Sequence, residues 1–120
     1  MKTLAEQLVG TWRLVSREDR NAAGERRIDS SLGADPVAIL VYDPAGNFAA
    51  QFMKRDRSSD EVAQARQATA NNSASVNGYD AYFGTYTVHE ATREVRQVLQ
   101  GSLSPGDVGK VVTREMHVDG

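Results

Sequence analysis

Imidazole titrates near neutrality and a neighbouring carboxylate can orient it, so His89 beside Glu90 and His117 two residues past Glu115 draw attention first. Acid–base or metal chemistry is what such pairs would do. The two histidines share no short ligand spacing, so the pattern predicts no metal site and reads them as solvated strand-end residues. Gly101-Ser-Leu-Ser-Pro105 lacks both the Gly-x-Ser-x-Gly pattern and the strand-to-helix setting of a nucleophile elbow, which leaves Ser102 as a turn residue. Lys54-Arg-Asp-Arg57 is basic, but Asp60-Glu61 follows it closely, and the run reads as a solvated loop. With no cysteine, thiol nucleophiles, zinc–thiolate sites, iron–sulfur ligation and disulfides are all excluded. No catalytic residue, metal ligand or cofactor is assigned.

Binding is the other chemistry open to these residues. Gln51, Tyr82, Tyr86 and Gln97 fall on strand-like segments where polar tips could enter an otherwise apolar cavity, with Phe52 as part of its wall. A filled core competes with this reading, with tyrosine hydroxyls bonded to backbone groups and Phe48, Phe52 and Phe83 occupying the interior.

Short strands must position these groups. Thr3 precedes Glu6 by three and Leu4 precedes Leu8 by four, which predicts one capped helical turn over Thr3–Val9, stopped by Gly10. From Gly10 the period changes to two, predicting a strand through Arg17 with Trp12 facing the core. Asn21–Gly24 is a turn, and Glu25–Asp29 can return as a short charged edge strand. Val37–Tyr42 is β-branched and apolar on both faces, as a central strand is. The turn Asp43-Pro-Ala-Gly46 leads into Asn47–Met53, completing a predicted hairpin. Residues 54–77 are polar and poor in core formers: a loosely held helix over 60–70, capped at Ser59 or Asp60, and a surface loop are both open, and either would cover a pocket. Strands follow at Tyr79–His89, with a bulge suggested by Gly84, at Val95–Leu103 and at Lys110–Val118. About seven short strands behind one helix make an all-β barrel or sandwich.

Composition sets outer bounds. The chain has 120 residues, with 14 Lys plus Arg against 16 Asp plus Glu, and that near-balance argues against a strongly electropositive nucleic-acid binder. A chain of this length supports one domain, expected over residues 1–120, and one core. The longest apolar run, Val37–Tyr42, is far below the roughly 20 residues of a membrane-spanning helix. The start MKTLAEQLVG lacks the features of a signal peptide, and a cytoplasmic location is expected. The sequence ends on Asp119-Gly120, a hairpin signal with nothing after it to pair, so a missing last strand, an unusual closure or a homodimer through the open edge is expected.

Gly10-Thr-Trp12-Arg-Leu-Val-Ser16 behind a short helix resembles the opening of the lipocalin and fatty-acid-binding-protein superfamily. Asp35-Pro-Val, Val41-Tyr-Asp-Pro-Ala-Gly46, Ala50-Gln-Phe-Met53, Gly78–Val88 and Gly101-Ser-Leu-Ser-Pro105 follow in the order that resembles the bacterial and fungal lipocalin-like domain family. The resemblance implies an antiparallel up-and-down β-barrel of about seven to eight strands with a short N-terminal helix, in a family mostly without assigned activity, some members encoded beside secondary-metabolite enzymes. It also implies that Arg114 lies over Trp12 and closes one end of the barrel. Similar domains often carry His before Gly-Ser-Leu and an aromatic after the Pro, where this chain has Arg96-Gln-Val98 and Gly106-Asp107; what those positions serve elsewhere is then lost here. The expected function is small-molecule binding in an apolar pocket. An isomerase or cyclase acting on an apolar intermediate and a ligand-free dimerisation module are the alternatives.

Overall fold

The computed structural model describes residues 2–20, 22–27, 32–33, 35–57, 66–68, 74–76 and 78–119, with 19, 27, 66–68 and 74–76 described by backbone alone. Its first element, α1 (Leu4–Leu8), is too short to persist by helix propensity and is held at its N-terminus from two directions. The Thr3 hydroxyl accepts from the Glu6 amide at 3.2 Å, and the Glu6 carboxylate accepts back from the Thr3 amide at 3.4 Å. From far along the chain, the Glu90 carboxylate accepts from the Leu4 amide at 2.7 Å and the Ala5 amide at 3.2 Å. Its negative charge suits the helix N-terminus, and the contact presses Leu4 and Leu8 into the core.

The strands are β1 (Gly10–Arg13), β2 (Asp19–Arg20), β3 (Arg26–Arg27), β4 (Val37–Tyr42), β5 (Asn47–Met53), β6 (Arg66–Ala68), β7 (Ala74–Val76), β8 (Tyr79–His89), β9 (Glu94–Ser102) and β10 (Val111–Glu115). The main wall runs β1-β4-β5-β8-β9-β10, all antiparallel, with β7 and β6 added beside the start of β8 and β2-β3 forming a separate ribbon. One carboxylate sets the register of the β4-β5 hairpin. Asp43 accepts from the amides of Ala45 at 2.9 Å and Asn47 at 2.8 Å and from the Asn47 side chain at 3.0 Å, while Gly46 takes φ 94°. The amide of Asn47 is the largest cause holding the Asp43 carboxyl below its ordinary value. This turn places Tyr42 opposite Phe48, so both rings share one face.

That face is concave. Tyr42 and Gln97 are three inter-strand steps apart, about 14 Å in a flat sheet, yet the Gln97 amide donates to the Tyr42 hydroxyl at 2.7 Å. Curvature comes from the β8-β9 ladder, where Gly84 pairs with Leu99 but Phe83 pairs with Gly101, leaving Gln100 as an extra residue in β9. A Cβ on Gly84 would lie 1.8 Å from the Val98 carbonyl oxygen, so only glycine lets the two backbones approach this closely. Across the bulge the Phe83 ring covers Gly101 on the outer face. Inside, Tyr42, Phe48, Tyr82, Val95, Leu99 and Val112 join the two helical leucines in one buried cluster.

Several sequence-based expectations need correction. The first strand ends at Arg13 rather than Arg17, and Val15 stands 93% exposed because the chain leaves the β4 edge after Leu14 bonds to the Ala38 carbonyl. Arg66–Ala68 is a strand paired with β7, not part of a helix; Ser59, Asp60 and most of 54–77 lie outside the described residues. The sheet is curled but not closed, for among the described residues no backbone ladder joins β1 to β10. Trp12 is therefore no buried plug: it is 39% exposed at the open edge, with its indole N–H donated to the Leu8 carbonyl at 2.8 Å.

Three substitutions check this account by thermal melting. Gly84→Ala is expected to destabilise by about 2–4 kcal/mol, since backbone rather than a side chain blocks the new methyl, and Gly101→Ala by less, since the Phe83 ring can turn aside. Glu90→Ala is expected to cost about 1 kcal/mol through loss of the helix anchor. Equal melting temperatures for Gly84→Ala and wild type would overturn the curvature argument.

Candidate functional site

Where the sheet fails to close, a cleft of about 430 Å³ opens, lined by Leu8, Trp12, Leu40 and Tyr42 and by the segment from Glu115 to Asp119. Trp12 pairs directly with Leu40 across β1 and β4, and Leu40 and Tyr42 share the inner face of β4, so these three side chains form one wall. Alternation continues past the end of β10, with Met116 and Val118 packed on the core and Glu115, His117 and Asp119 exposed. That extended tail is fastened to the β8-β9 turn by two bonds: the Met116 amide donates to the Arg93 carbonyl at 2.9 Å, and Arg93 Nε donates to the Met116 carbonyl at 3.1 Å.

Tyr42 is the polar centre of the cleft. Only 1% exposed, its hydroxyl accepts from Gln97, and its own proton points to the Met116 sulfur at 3.9 Å, a weak acceptor. Gln97 is equally buried, and its Oε1 has no hydrogen-bond partner. Turning the amide over would give the tyrosine proton a good acceptor but strand the amide hydrogens, so the one orientation leaves the Gln97 oxygen unmet and the Tyr42 proton on a thioether, and the other leaves the amide donors unmet. Burial raises the Tyr42 hydroxyl to about 12, so it remains a donor through the neutral range. Tyr86 packs edge-on to Tyr42, ring centroids 4.7 Å apart, and donates to the Asp43 carbonyl at 2.7 Å.

The residues expected to bind ligand are divided by the structure. Gln97 reaches Tyr42, whereas Tyr82 lies deeper, bonded to Arg114 and flanked by Phe48 and Phe52 at centroid distances of 6.0 and 6.2 Å. Burial is the main reason that the Tyr82 hydroxyl is also raised. Gln51 faces the other way, exposed on the outer surface of β5, where the Tyr79 hydroxyl donates to it at 2.5 Å. The expected stacking of Arg114 on Trp12 gives way to the Tyr82 contact, because β10 does not reach β1. Among the described residues the guanidinium that covers an aromatic ring is that of Arg57, 5.5 Å from Tyr79.

Glu90 and the two histidines each have a local partner. Glu90 caps α1, His89 Nδ1 lies 3.0 Å from the Thr92 hydroxyl, and His117 meets Glu115 at 3.0 Å in solvent at the cleft rim. No group of three or more metal-ligating side chains exists among the described residues. Arg96 is exposed, and Asp107 is buried against Lys110 at 2.6 Å. Sequence reading missed Tyr42, Leu40 and Met116 as lining residues. The legible signal was the Asp43–Gly46 turn, which puts Tyr42 on the face of Phe48.

Alkaline titration tests the Tyr42 assignment. Since its folded value lies above the ordinary 10.0, its contribution is complete below pH 10 and lost as pH rises through about 12. The loss is on the order of 3 kcal/mol, read from denaturant melts alongside tyrosinate absorbance. Tyr42→Phe is expected to flatten that slope, while costing about 1–3 kcal/mol at neutral pH by stranding Gln97.

Among the described residues no helix is long and apolar enough to cross a membrane. No curated protein and no solved structure matches the chain. One protein family does match, described as a lipocalin-like domain, over residues 9–120, which takes in every strand of the sheet and both walls of the cleft. The resemblance carried by the Gly10–Trp12 opening and the segments that follow it is thereby shown, and the chain belongs to the lipocalin-like domain family.

Proposed function

We propose that this chain binds a small, mainly apolar molecule in the cleft beside Trp12. The observation that carries the reading is the Tyr42 hydroxyl: a buried donor with only a thioether to receive its proton, set in an apolar wall of a 430 Å³ space. An apolar surround with one or two convergent polar groups is how small-molecule sites orient their ligands. Burial of a ligand against Trp12, Leu40 and Met116 supplies affinity, and Tyr42, steadied by Gln97, supplies orientation. Enzymatic acid–base chemistry has less behind it, since the cleft's imidazole, His117, stands 65% exposed at the rim and already meets Glu115.

Trp12 is the single tryptophan, so its emission reports occupancy directly. Titration with Nile red, paired with a size-exclusion mass measurement, is expected to give saturable one-to-one uptake with a change in Trp12 emission. Met116→Lys should weaken uptake at least tenfold while leaving the far-ultraviolet circular dichroism unchanged. Absence of saturable uptake would sink the proposal, and a dimer that takes up no dye would favour an assembly module.

A further inference from the structure

Resting on the binding reading above, the polar groups of the cleft define the chemistry of its occupant. The Gln97 amide donates to Tyr42, and the Tyr42 proton has only the Met116 thioether to receive it, so the partner that Tyr42 lacks is a good acceptor. The acceptor's charge follows from the surroundings. Glu115 and Asp119 both line the cleft, and the one basic side chain among its described lining residues, His117, already lies 3.0 Å from Glu115. A carboxylate entering here meets repulsion from two like charges and must also shed its hydration against Trp12, Leu8 and Leu40. Arg114 offers it no direct pair, because it is engaged with the Tyr82 hydroxyl and does not line the cleft. Its positive field still reaches Tyr42, where it favours the negative end of a neutral dipole.

We infer that the cleft selects an uncharged carbonyl compound, its apolar body against Trp12 and Leu40, its oxygen accepting the Tyr42 proton, and that Glu115 and Asp119 turn carboxylates away. A hydrocarbon lacks the acceptor, and a fatty-acid-like anion carries the wrong charge for the rim.

Three probes of one skeleton separate these terms: tetralin, 1-tetralone and 1,2,3,4-tetrahydro-1-naphthoate, each titrated against full-length protein by Trp12 emission and by Nile red displacement. The ketone is expected to bind about tenfold tighter than the hydrocarbon, the advantage of one satisfied hydrogen bond. Tyr42→Phe is expected to bring the ketone down to the hydrocarbon's level and to leave the hydrocarbon unchanged. The carboxylate is expected to bind at least tenfold more weakly than the ketone at low salt, with the gap shrinking at high salt. In case Tyr42→Phe does not fold, the double variant Glu115→Gln, Asp119→Asn gives a second reading: it should improve carboxylate binding and leave the ketone alone. Equal binding of ketone and hydrocarbon, or preference for the carboxylate, overturns the inference while the binding reading stands. Failure of all three probes together with Nile red removes both.

Discussion

One missing side chain lets this sheet bend. At Gly84 the backbone of β8 lies against the Val98 carbonyl so closely that a methyl group would sit 1.8 Å from it, and the adjoining ladder takes up the extra residue Gln100. A bulge sharpens twist locally, and here it falls at the middle of β8 and toward the end of β9, where a change of direction swings the wall on either side. Without that bend the inner faces of β4 and β9 would stand about 14 Å apart, too far for Tyr42 to meet Gln97. The polar centre of the cleft is thus a consequence of curvature, and curvature of a glycine.

The same contact shows how the interior manages its polar groups. Tyr42 and Gln97 are each 1% exposed, and each has one good bond, to the other. Two groups that could have been leucines would have packed without leaving buried donors or acceptors unmet, at a saving of about 1–3 kcal/mol for each group satisfied. Tyr86 provides the contrast on the neighbouring strand, its hydroxyl fully used by the Asp43 carbonyl at 2.7 Å. Tyr86 finds a backbone acceptor, whereas Tyr42 leaves its proton on a thioether, and that weakly used donor is what the proposed ligand would meet.

Much of this was readable before any coordinates. The Thr3–Glu6 capping box, the Asp43–Gly46 hairpin, the shared face of Tyr82, Gly84 and Tyr86, and the irregularity at Gly84 all follow from local rules of spacing and turn chemistry, and each is found in the structure. What stayed hidden depends on distance across the sheet. Glu90 and Leu4 are 86 residues apart, so the carboxylate looked like a partner for His89 until the fold brought the helix to it. Gln51 is the exception, since alternation along β5 already puts it with Ala49 and Met53 on the face opposite Phe48, Ala50 and Phe52, and that parity turns it outward. Trp12 reads as a core anchor by type and alternation, and whether an edge residue is covered depends on a neighbour that local pattern cannot place.

That last point ties the open edge to the site. An unpaired strand edge is a liability, normally blunted by charge, brevity or cover. Here β1 is only four residues long, α1 is pinned beside it by Glu90, and the tail beyond β10 is clamped by Arg93 at Met116. Each device stops short of filling the gap. The helix brings Leu8 to one margin, the clamp brings Met116 and Val118 to the other, and the space between them retains the apolar lining that a closing strand would have covered. The features that make the edge tolerable without a ladder are therefore the features that give the cleft its walls, which is why the largest departure from a closed barrel and the best-supported binding position coincide.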